Sequence, residues 1–363
     1  MGILGFEYLP FPVLSTLYGG FTTPVMKVTV NDNVLTLILS KVGSNSIAGL
    51  TTNEVNIKQE KNNASSASFS ITNCYDVTIR SFVLNMLHVG SKISIQLGYG
   101  SVLRNVFVGY VDSLSYELSE NPRIRVNAFD AVKLMMEGGK TKKTWKDGAL
   151  YTKTISDIMD NYKDICPFPA TNMLPSLQKH GQLQQNDDNY RFVKDTLCKL
   201  CDRDLIVKGG SAYLVNPYMQ FGKLTELSFG SGLTSFSFTP AYKKVKVTVT
   251  GDKMAGAVGS STVKTGDQYK TSMNKPQEIS KTAPLKTSAE CKSYAARLAF
   301  DAITEAQTAS GSCIGIPDIS PGVGLTVKGV SSLWDKRILY VDSASHVFNT
   351  SGYTTSFQIK GWT

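Results

Sequence analysis

Hydrophobic and polar residues alternate along much of the chain between residues 25 and 128. Ile93, Ile95 and Leu97 are separated by Ser and Gln, and Ile124 and Val126 are separated by Arg. Successive side chains of a strand point to opposite faces of a sheet, so this period of two predicts antiparallel strands with one buried face. Gly and Asn residues interrupt the pattern, as expected of the turns between strands.

The middle of the chain has helical spacing instead. A basic, Gly-containing connector follows Lys133, and Ile155, Ile158 and Met159 then lie three and four positions apart. This spacing predicts an amphipathic helix. The change from a period of two to a period near 3.6 marks a boundary between two kinds of structure.

A second helix is predicted from Asn189 to Asp202, with Asp187 and Asp188 as its N-terminal cap signal. It is followed by two strand-like segments on either side of Gly209-Gly210. Two Gly residues readily adopt the backbone angles of a tight turn, so these segments predict a β-hairpin.

Strand spacing returns between Phe236 and Val249 and again from Gly311 to the end of the chain. Residues 251–283, which lie between these stretches, are polar and predict a long loop or a flexible insertion. Residues 287–307 carry apolar side chains three and four positions apart and predict a third helix.

Two stretches of the sequence resemble each other. Tyr110-Val-Asp-Ser and Tyr340-Val-Asp-Ser start at positions 110 and 340, an offset of 230, and each is followed by a turn and an alternating strand. A turn containing Gly90 precedes the first stretch and a turn containing Gly322 precedes the second. The repeat predicts one β-domain used twice, with Tyr110 and Tyr340 at equivalent strand positions.

The chain is therefore expected to be mainly β with an α+β insertion: two similar antiparallel β-barrel-like tube domains flank a mixed helical domain. The expected parts are an N-terminal arm (1–24), a first β tube domain (25–137), an α+β insertion domain (138–235) and a second β tube domain (236–363, with polar loop 251–283 and helix 287–307).

Composition adds little to this division. The formal net charge of +9 permits an anionic partner without demanding one. The six Cys are scattered in a chain too large to need disulfides, which predicts reduced and mostly buried thiols in a protein made in the cytoplasm. The apolar N-terminus is interrupted by Glu7, Pro10 and Pro12, so we expect no signal peptide but an arm laid on a neighbouring surface. The sequence has no stretch of about 20 apolar residues that would span a membrane.

Two candidate metal-binding features are incomplete. His88, His180 and His346 are far apart in the sequence, and His346 falls in an alternating strand pattern that predicts a hydrogen-bonded structural histidine. Cys198 and Cys201 form a CxxC on a predicted helix, but no second pair follows at zinc spacing. We therefore predict no metal, no cofactor and no catalytic residue.

Two further motifs resemble catalytic or nucleotide-binding loops only in part. Gly139-Lys140-Thr141 is similar to the end of a phosphate-binding loop, but Leu134 stands where that loop needs Gly. Gly311-Ser-Cys313-Ile-Gly315 imitates a nucleophile elbow, which requires a strand before it and a helix after it. Here a predicted helix precedes the motif and Pro317 follows it, so both interpretations are rejected.

Two lysine runs could meet an anionic surface. The first run extends the connector after Lys140 and comprises Lys142, Lys143 and Lys146. The second run alternates with Val on a predicted strand and comprises Lys243, Lys244 and Lys246. The alternation predicts one polar face, and a solvated or channel-lining face is favoured over specific nucleic-acid recognition.

Three segments near the C-terminus follow one another in a defined order. Residues 315–322 read GIPDISPG, residues 340–346 read YVDSASH and residues 352–357 read GYTTSF. This order resembles the end of phage late-control D proteins and related baseplate hub proteins, although Ile319 stands where that family has Leu. Asn186–Phe192, Phe107–Val111 and the helix at 287–307 are similar to further segments of the family.

The resemblance implies a structural hub of the kind found in contractile phage tails, phage-tail-like bacteriocins and the hub part of VgrG-type spikes. Such hubs are homotrimers, so two β units per chain would give six units around a ring that joins a six-fold tail tube to a three-fold central spike. The implied partners are the tail tube protein, the spike protein, other baseplate proteins and the tape measure, with DNA passage left open. Two alternatives also remain open: a tail-associated peptidoglycan hydrolase and a cell-surface-binding β module.

Overall fold

The computed structural model describes residues 7–39, 45–46, 51–82, 87–139, 142–217, 223–239, 243–252, 256–265, 276–330, 335 and 337–362. Lys140 and Thr141 of the phosphate-loop-like motif lie outside the described residues.

Strands dominate, as the period-two pattern predicts. The strands are β1 (Glu7–Leu9), β2 (Pro24–Val30), β3 (Asn33–Leu39), β4 (Asn45–Ser46), β5 (Thr51–Glu60), β6 (Ser66–Thr72), β7 (Tyr75–Asp76), β8 (Ser81–Phe82), β9 (Lys92–Tyr99), β10 (Val102–Glu117), β11 (Arg123–Phe129), β12 (Lys143–Trp145), β13 (Leu183–Gln185), β14 (Asp204–Lys208), β15 (Ser211–Val215), β16 (Lys223–Phe229), β17 (Gly232–Thr239), β18 (Lys244–Thr250), β19 (Val258–Lys264), β20 (Gln277–Thr282), β21 (Thr308–Ile314), β22 (Gly324–Lys328), β23 (Leu339–Asn349) and β24 (Gly352–Trp362).

Besides 3-10 turns at Gly19–Phe21, Asp160–Tyr162 and Ala170–Asn172, the described residues also form five longer helical segments. They are α1 (Phe11–Leu17), α2 (Ala131–Glu137), α3 (Tyr151–Met159), α4 (Asn189–Arg191, continued by a π-helix over Phe192–Cys198) and α5 (Ser288–Thr304). The predicted cap of α4 is confirmed, since the Asp188 carboxylate accepts a hydrogen bond from the Arg191 amide. α5 begins with a capping box in which Thr287 and Glu290 satisfy each other's backbone amides. No helix among the described residues is both long and apolar enough to cross a membrane.

One large sheet contains both β units. Its strand order is β1-β16-β17-β21-β24-β23-β5-β6-β11-β10-β9-β2-β3-β4, with β22 paired to both β16 and β23. In the second unit, β16 pairs with β17 and with β22, so the ladders close into a ring of strands. In the first unit, β5, β6, β11, β10 and β9 follow one another in the order that β17, β21, β24, β23 and β22 have in the second. The next strand differs in direction, because β2 pairs antiparallel with β9 whereas β16 pairs in parallel with β22. The main hydrophobic core lies beneath these strands.

The sequence repeat corresponds to a structural repeat. Tyr110 lies on β10, which pairs with β9 and β11, and Tyr340 lies on β23, which pairs with β22 and β24. The register of β10 shifts between Val111 and Ser113, and that of β23 shifts between the residues 230 positions later. The amide of Gly90 donates to the Val111 carbonyl at 2.8 Å, and the turn at Gly322 makes the matching bond at 2.9 Å. The predicted equivalence of Tyr110 and Tyr340 is confirmed.

The insertion has its own hydrophobic core, which α3, α4 and the β14–β15 hairpin share. The hairpin turns at Gly209-Gly210 as predicted. A three-stranded sheet in the order β19-β18-β20 belongs to the same core, and α5 packs against it through Cys291, Ala295 and Ala299.

Three parts of the predicted division are corrected by these elements. Residues 251–283 contain β19 and β20 rather than only a loop. These strands flank β18 and leave most of their side chains exposed, so the sequence shows no apolar alternation there. Residues 244–250 belong to the core of the insertion and not to the second tube domain, because Val245, Val247 and Val249 pack towards α5. Conversely, β16 returns to the main sheet at residue 223, before the predicted boundary at 235.

The N-terminal segment folds back on its own chain. β1 pairs with β16 in parallel, and Leu14 of α1 and Tyr18 are fully buried in the main core. The prediction of an arm laid on a neighbouring surface is therefore wrong for residues 7–23. The apolar side chains of this segment cover the chain's own β units, which removes the same surface from water.

Candidate assembly surfaces

The two β units are joined edge to edge within the chain. β5 of the first unit pairs antiparallel with β23 of the second unit, from Val55 opposite Phe348 to Glu60 opposite Ser343. The amide of Lys61 extends this ladder by donating to the Asp342 carbonyl at 3.0 Å. A continuous ladder of backbone hydrogen bonds therefore holds the units in one register.

Aromatic and charged side chains also connect the two β units. The Tyr18 hydroxyl donates to the Asp318 carboxylate at 2.5 Å, and the Arg104 guanidinium lies 3.9 Å from the same carboxylate. Burial, together with Asp318, raises the pKa of Tyr18 well above its ordinary value, so this phenol stays protonated. Tyr99 of β9 and Tyr353 of β24 lie with their ring centroids 6.0 Å apart. These contacts connect the N-terminal segment to both β units.

His346 is a buried structural histidine, as its strand pattern predicts. Its Nδ1 lies 2.8 Å from the Tyr353 hydroxyl and 3.2 Å from the Thr355 hydroxyl, and its Nε2 lies 3.1 Å from the Ile319 carbonyl. Burial lowers the pKa of His346 to about 4, so the ring is neutral near pH 7. The neutral ring can donate one hydrogen bond and accept another, which suits these partners.

A charged cluster fixes the insertion to the first β unit. The Asp204 carboxylate at the start of β14 lies 2.7 Å from the ammonium of Lys194 and 2.7 Å from that of Lys61. Lys194 also donates to the Leu205 carbonyl at 2.7 Å. Burial would raise the pKa of Asp204, but the two ammonium groups outweigh burial and hold that pKa well below its usual range. The cluster borders a cleft of about 320 Å³ between the insertion and the β units.

Arg297 of α5 belongs to the same region. Its guanidinium donates to the Asp301 carboxylate at 2.9 Å and to the Arg203 carbonyl at 3.0 Å. The pairing of Asp204 with Lys194 and Lys61, and the contact of Arg297 with the Arg203 carbonyl, join residues that are distant in the sequence, so no local spacing predicts them. Only the pair of Arg297 and Asp301 has a local helical spacing.

The CxxC cysteines are buried. Cys198 and Cys201 lie at the end of α4 among apolar side chains, and burial raises the pKa of Cys198 well above its ordinary value and that of Cys201 to about 12. Among the described residues, no group of three or more His, Cys, Asp or Glu side chains could hold a metal ion. That the protein binds no metal stays a prediction.

The elbow-like segment forms a strand end rather than an elbow. Cys313 lies on β21, its thiol is buried, and it donates to the Thr355 carbonyl at 3.5 Å. The residues after Ile314 form a buried loop with two turns instead of a helix. The geometry therefore lacks the exposed nucleophile that an elbow presents.

The predicted polar face of the second lysine run is confirmed for Lys244 and Lys246 but not for Lys243, which precedes β18 and reaches towards α5. On β18 the three Val side chains are buried and the lysines between them are partly exposed. Lys246 lies 3.3 Å from Glu278 of β20, and Lys243 donates to the Ala302 carbonyl at 3.1 Å. In the connector run, Lys143 lies over the ring of Trp145, 3.7 Å from its centroid.

A row of small hydroxyl side chains crosses the outer face of the large sheet. Ser235, Ser312, Ser356 and Ser345 lie opposite one another on β17, β21, β24 and β23, and Lys58 of β5 continues the row. The hydroxyls of Ser312 and Ser356 are 3.3 Å apart. The row borders a groove of about 350 Å³ and begins at β17. This face is polar and shallow, which suits contact with water or with another polar surface.

No family model matches the chain, and no curated protein matches it. Solved structures do. The 43 kDa tail protein of prophage MuSo2 from Shewanella oneidensis is 12% identical, with 92% of this chain and 98% of that chain covered and a TM-score of 0.63. A tail protein from Neisseria meningitidis MC58 is 11% identical over 93% of this chain and 96% of that chain, with a TM-score of 0.63.

A third similar structure is the E. coli c3393 protein, described as a component of the type VI secretion system with structural similarity to the bacteriophage T4 tail proteins gp27 and gp5. It is 9% identical, with 93% of this chain and 77% of that chain covered and a TM-score of 0.56. The likeness extends over nearly the whole chain in each case, so both β units and the insertion are included. The chain thus has the mainly β fold of these phage tail and type VI secretion proteins.

Proposed function

We propose that this protein is a structural component of a phage tail or a phage-tail-like injection particle, in which three copies form the baseplate hub. The observation that carries the proposal is the structural repeat: two β units of the same strand order, with the same register shift, joined by one ladder. Three copies supply six such units, which can face a six-fold tube while the chain as a whole keeps three-fold symmetry. The fold shared with tail proteins supports this assignment.

The proposal includes the partners of a hub of the late-control D type. The ring of β units would contact the tail tube protein, and the opposite end would hold a three-fold central spike together with other baseplate proteins. In this role the protein has no catalytic residue, cofactor or metal, and its function is to transmit symmetry and force. The buried ion pairs that tie the insertion to the first β unit suit a part that must not hinge.

Electron microscopy of the purified protein tests the proposal. We expect particles with three-fold symmetry and six similar β units around a central opening. Mixing with tubes of the tail tube protein from the same particle should cap tube ends with one ring each. Particles without three-fold symmetry, or rings that never bind tube ends, would contradict the hub assignment.

A further inference from the structure

We propose that β17 of one copy pairs antiparallel with the C-terminal half of β10 of a neighbouring copy, in the register that places Phe238 opposite Tyr116. The inference rests on the proposed ring of β units and deepens it by naming the two strand edges that join. It follows from the way in which the chain joins its own two units.

The ladder within the chain is the template. β5 of the first unit pairs antiparallel with β23 of the second unit, with Asn56 opposite Val347 and Lys58 opposite Ser345. We assume that the second unit of one copy meets the first unit of the next copy in the same manner. The strand of the second unit that corresponds to β5 must then pair with the strand of the next copy's first unit that corresponds to β23. Such a head-to-tail contact closes a ring when the rotation allows it.

The counterpart of β23 is β10, at an offset of 230 residues. The ladder of β10 with β9 ends at the pair of Tyr110 and Lys92, whereas its ladder with β11 continues to Glu117 opposite Arg123. In β23, the corresponding stretch from Ser343 onward pairs with β24 on one side and with β5 on the other. The C-terminal half of β10 thus has one edge at which the template places a further strand.

The counterpart of β5 is β17, and the registers fix the match. Ser113 lies opposite Asn127 in the first unit, and the residue 230 positions later lies opposite Gln358 in the second. In the first unit, Asn127 lies opposite Ser68 of β6, and Ser68 lies opposite Asn56 of β5. In the second unit, Gln358 lies opposite Ser310 of β21, and Ser310 lies opposite Ser237 of β17. Ser237 therefore takes the place of Asn56.

Transferring the template gives the register between copies. Ser237 should lie opposite Glu117 and Thr239 opposite Ser115, because Asn56 lies opposite Val347 and Lys58 opposite Ser345. The ladder of β17 with β16 ends at Leu233, while its ladder with β21 continues to Thr239. Within the described part of the chain, the residues that the template requires thus lie on an edge of the sheet.

Burial on β10 supports this pairing. Tyr116 is 53% exposed and Leu118 is 67% exposed, although both are large apolar side chains. Their counterparts on β23, His346 and Phe348, are 0% and 3% exposed. A neighbouring copy that covered Tyr116 and Leu118 would bury them as fully as His346 and Phe348 are buried within the chain.

The same comparison holds for β17. Phe236 and Phe238 are only partly buried, whereas their counterparts Val55 and Ile57 on β5 are fully buried. The proposed contact brings Phe236 and Phe238 of one copy against Tyr116 and Leu118 of the next copy. Aromatic and apolar groups on both edges are the surfaces that association would remove from water.

Paired cysteine substitutions test the register. In the template, the bond from the Lys61 amide to the Asp342 carbonyl makes that pair hydrogen-bonded, so the pairs Asn56–Val347 and Lys58–Ser345 are of the non-hydrogen-bonded kind. Their Cα atoms are expected about 4.5 Å apart, within reach of a disulfide. The double variants Ser237→Cys/Glu117→Cys and Thr239→Cys/Ser115→Cys should therefore cross-link between copies under mild oxidation. All six native cysteines are buried, which keeps the background low.

Matched controls exchange the partners. Ser237→Cys/Ser115→Cys and Thr239→Cys/Glu117→Cys use the same four positions, but place the thiols on diagonal neighbours roughly 7–8 Å apart. We expect covalent trimers on non-reducing gels for the two register-matched variants and at least tenfold less for the exchanged ones. Equal yields for all four variants, or no cross-linking at any protein concentration, would overturn the inference.

The outcome is separable from the proposed function. Failure of the matched variants to cross-link in a preparation whose mass is that of a trimer refutes this register and leaves the trimeric hub standing. Register-specific cross-linking in an assembly of another size supports the strand pairing and refutes the trimer.

Discussion

The ammonium nitrogen of Lys194 lies 2.7 Å from a carboxylate oxygen of Asp204, and both side chains are buried. Lys61 binds the other oxygen of the same carboxylate at 2.7 Å. One carboxylate therefore connects α4 and β14 of the insertion with the segment that follows β5. Removing one partner of such a pair leaves an uncompensated buried charge.

We expect Lys194→Met to lower the free energy of unfolding by about 3–5 kcal/mol, as is typical when a buried ion pair loses one partner. Lys199→Met is the matched control, because Lys199 pairs with Asp195 at 3.2 Å on the surface of the same segment. Its cost should be about 0.5 kcal/mol or less. Urea titration monitored by circular dichroism measures both, and equal costs would contradict the role of the buried pair.

His346 should make stability depend on pH. Its pKa falls from the ordinary value of 6.5 to about 4 in the folded protein, chiefly because it is buried. Between these values the unfolded chain binds the proton more readily than the folded chain, so the free energy of unfolding falls as the pH drops from 6.5 towards 4. The contribution of this histidine is roughly 3 kcal/mol over that window.

The variant His346→Asn isolates that contribution. Its free energy of unfolding should lose part of the pH dependence between pH 6.5 and 4, because the Asn side chain binds no proton in this range. Identical pH profiles for His346→Asn and the wild type would show that this ring does not resist protonation in the folded state.

The Tyr18 hydroxyl should help hold the N-terminal segment on the β units. Tyr18→Phe removes the bond to Asp318 and leaves a buried carboxylate with one partner fewer, at an expected cost of about 1–3 kcal/mol. Tyr8→Phe is the control, since Tyr8 is exposed and binds Glu226 at the surface. Limited proteolysis should cleave the Tyr18→Phe variant earlier within residues 7–23. Equal protease sensitivity of both variants would speak against this anchor.

We predict that Cys198 and Cys201 are structural. Their raised pKa values mean that a thiol reagent should modify them only after unfolding. The double variant Cys198→Ala/Cys201→Ala should keep the oligomeric state of the wild type and lose only the stability that small cavities cost. Elemental analysis of the wild-type protein that found one zinc per chain would contradict this prediction.

Much of the fold could be predicted from local patterns. The alternating strands, the Gly209-Gly210 hairpin and the cap at Asp188 depend on neighbouring residues, and each is present. The repeat at Tyr110 and Tyr340 was visible because both copies kept the same four residues. These are features in which sequence spacing translates directly into local geometry.

The remaining features depend on contacts between distant residues. β19 and β20 lack an apolar alternation because they bury few side chains, so their polar sequence resembles a loop. The ladder between β5 and β23 joins segments nearly 300 positions apart, for which no local signal exists. The same holds for Lys194 and Asp204, whose pairing becomes evident only once the helix and the hairpin are packed.

Light scattering coupled to size-exclusion chromatography measures the mass of the purified protein and tests the central claim most directly. The chain mass is 39.5 kDa. The account predicts a particle of three times this mass, stable on dilution, because each copy covers one β-unit edge of the next. A fully folded monomer that persists at high protein concentration, or a particle of two or four copies, would contradict the hub.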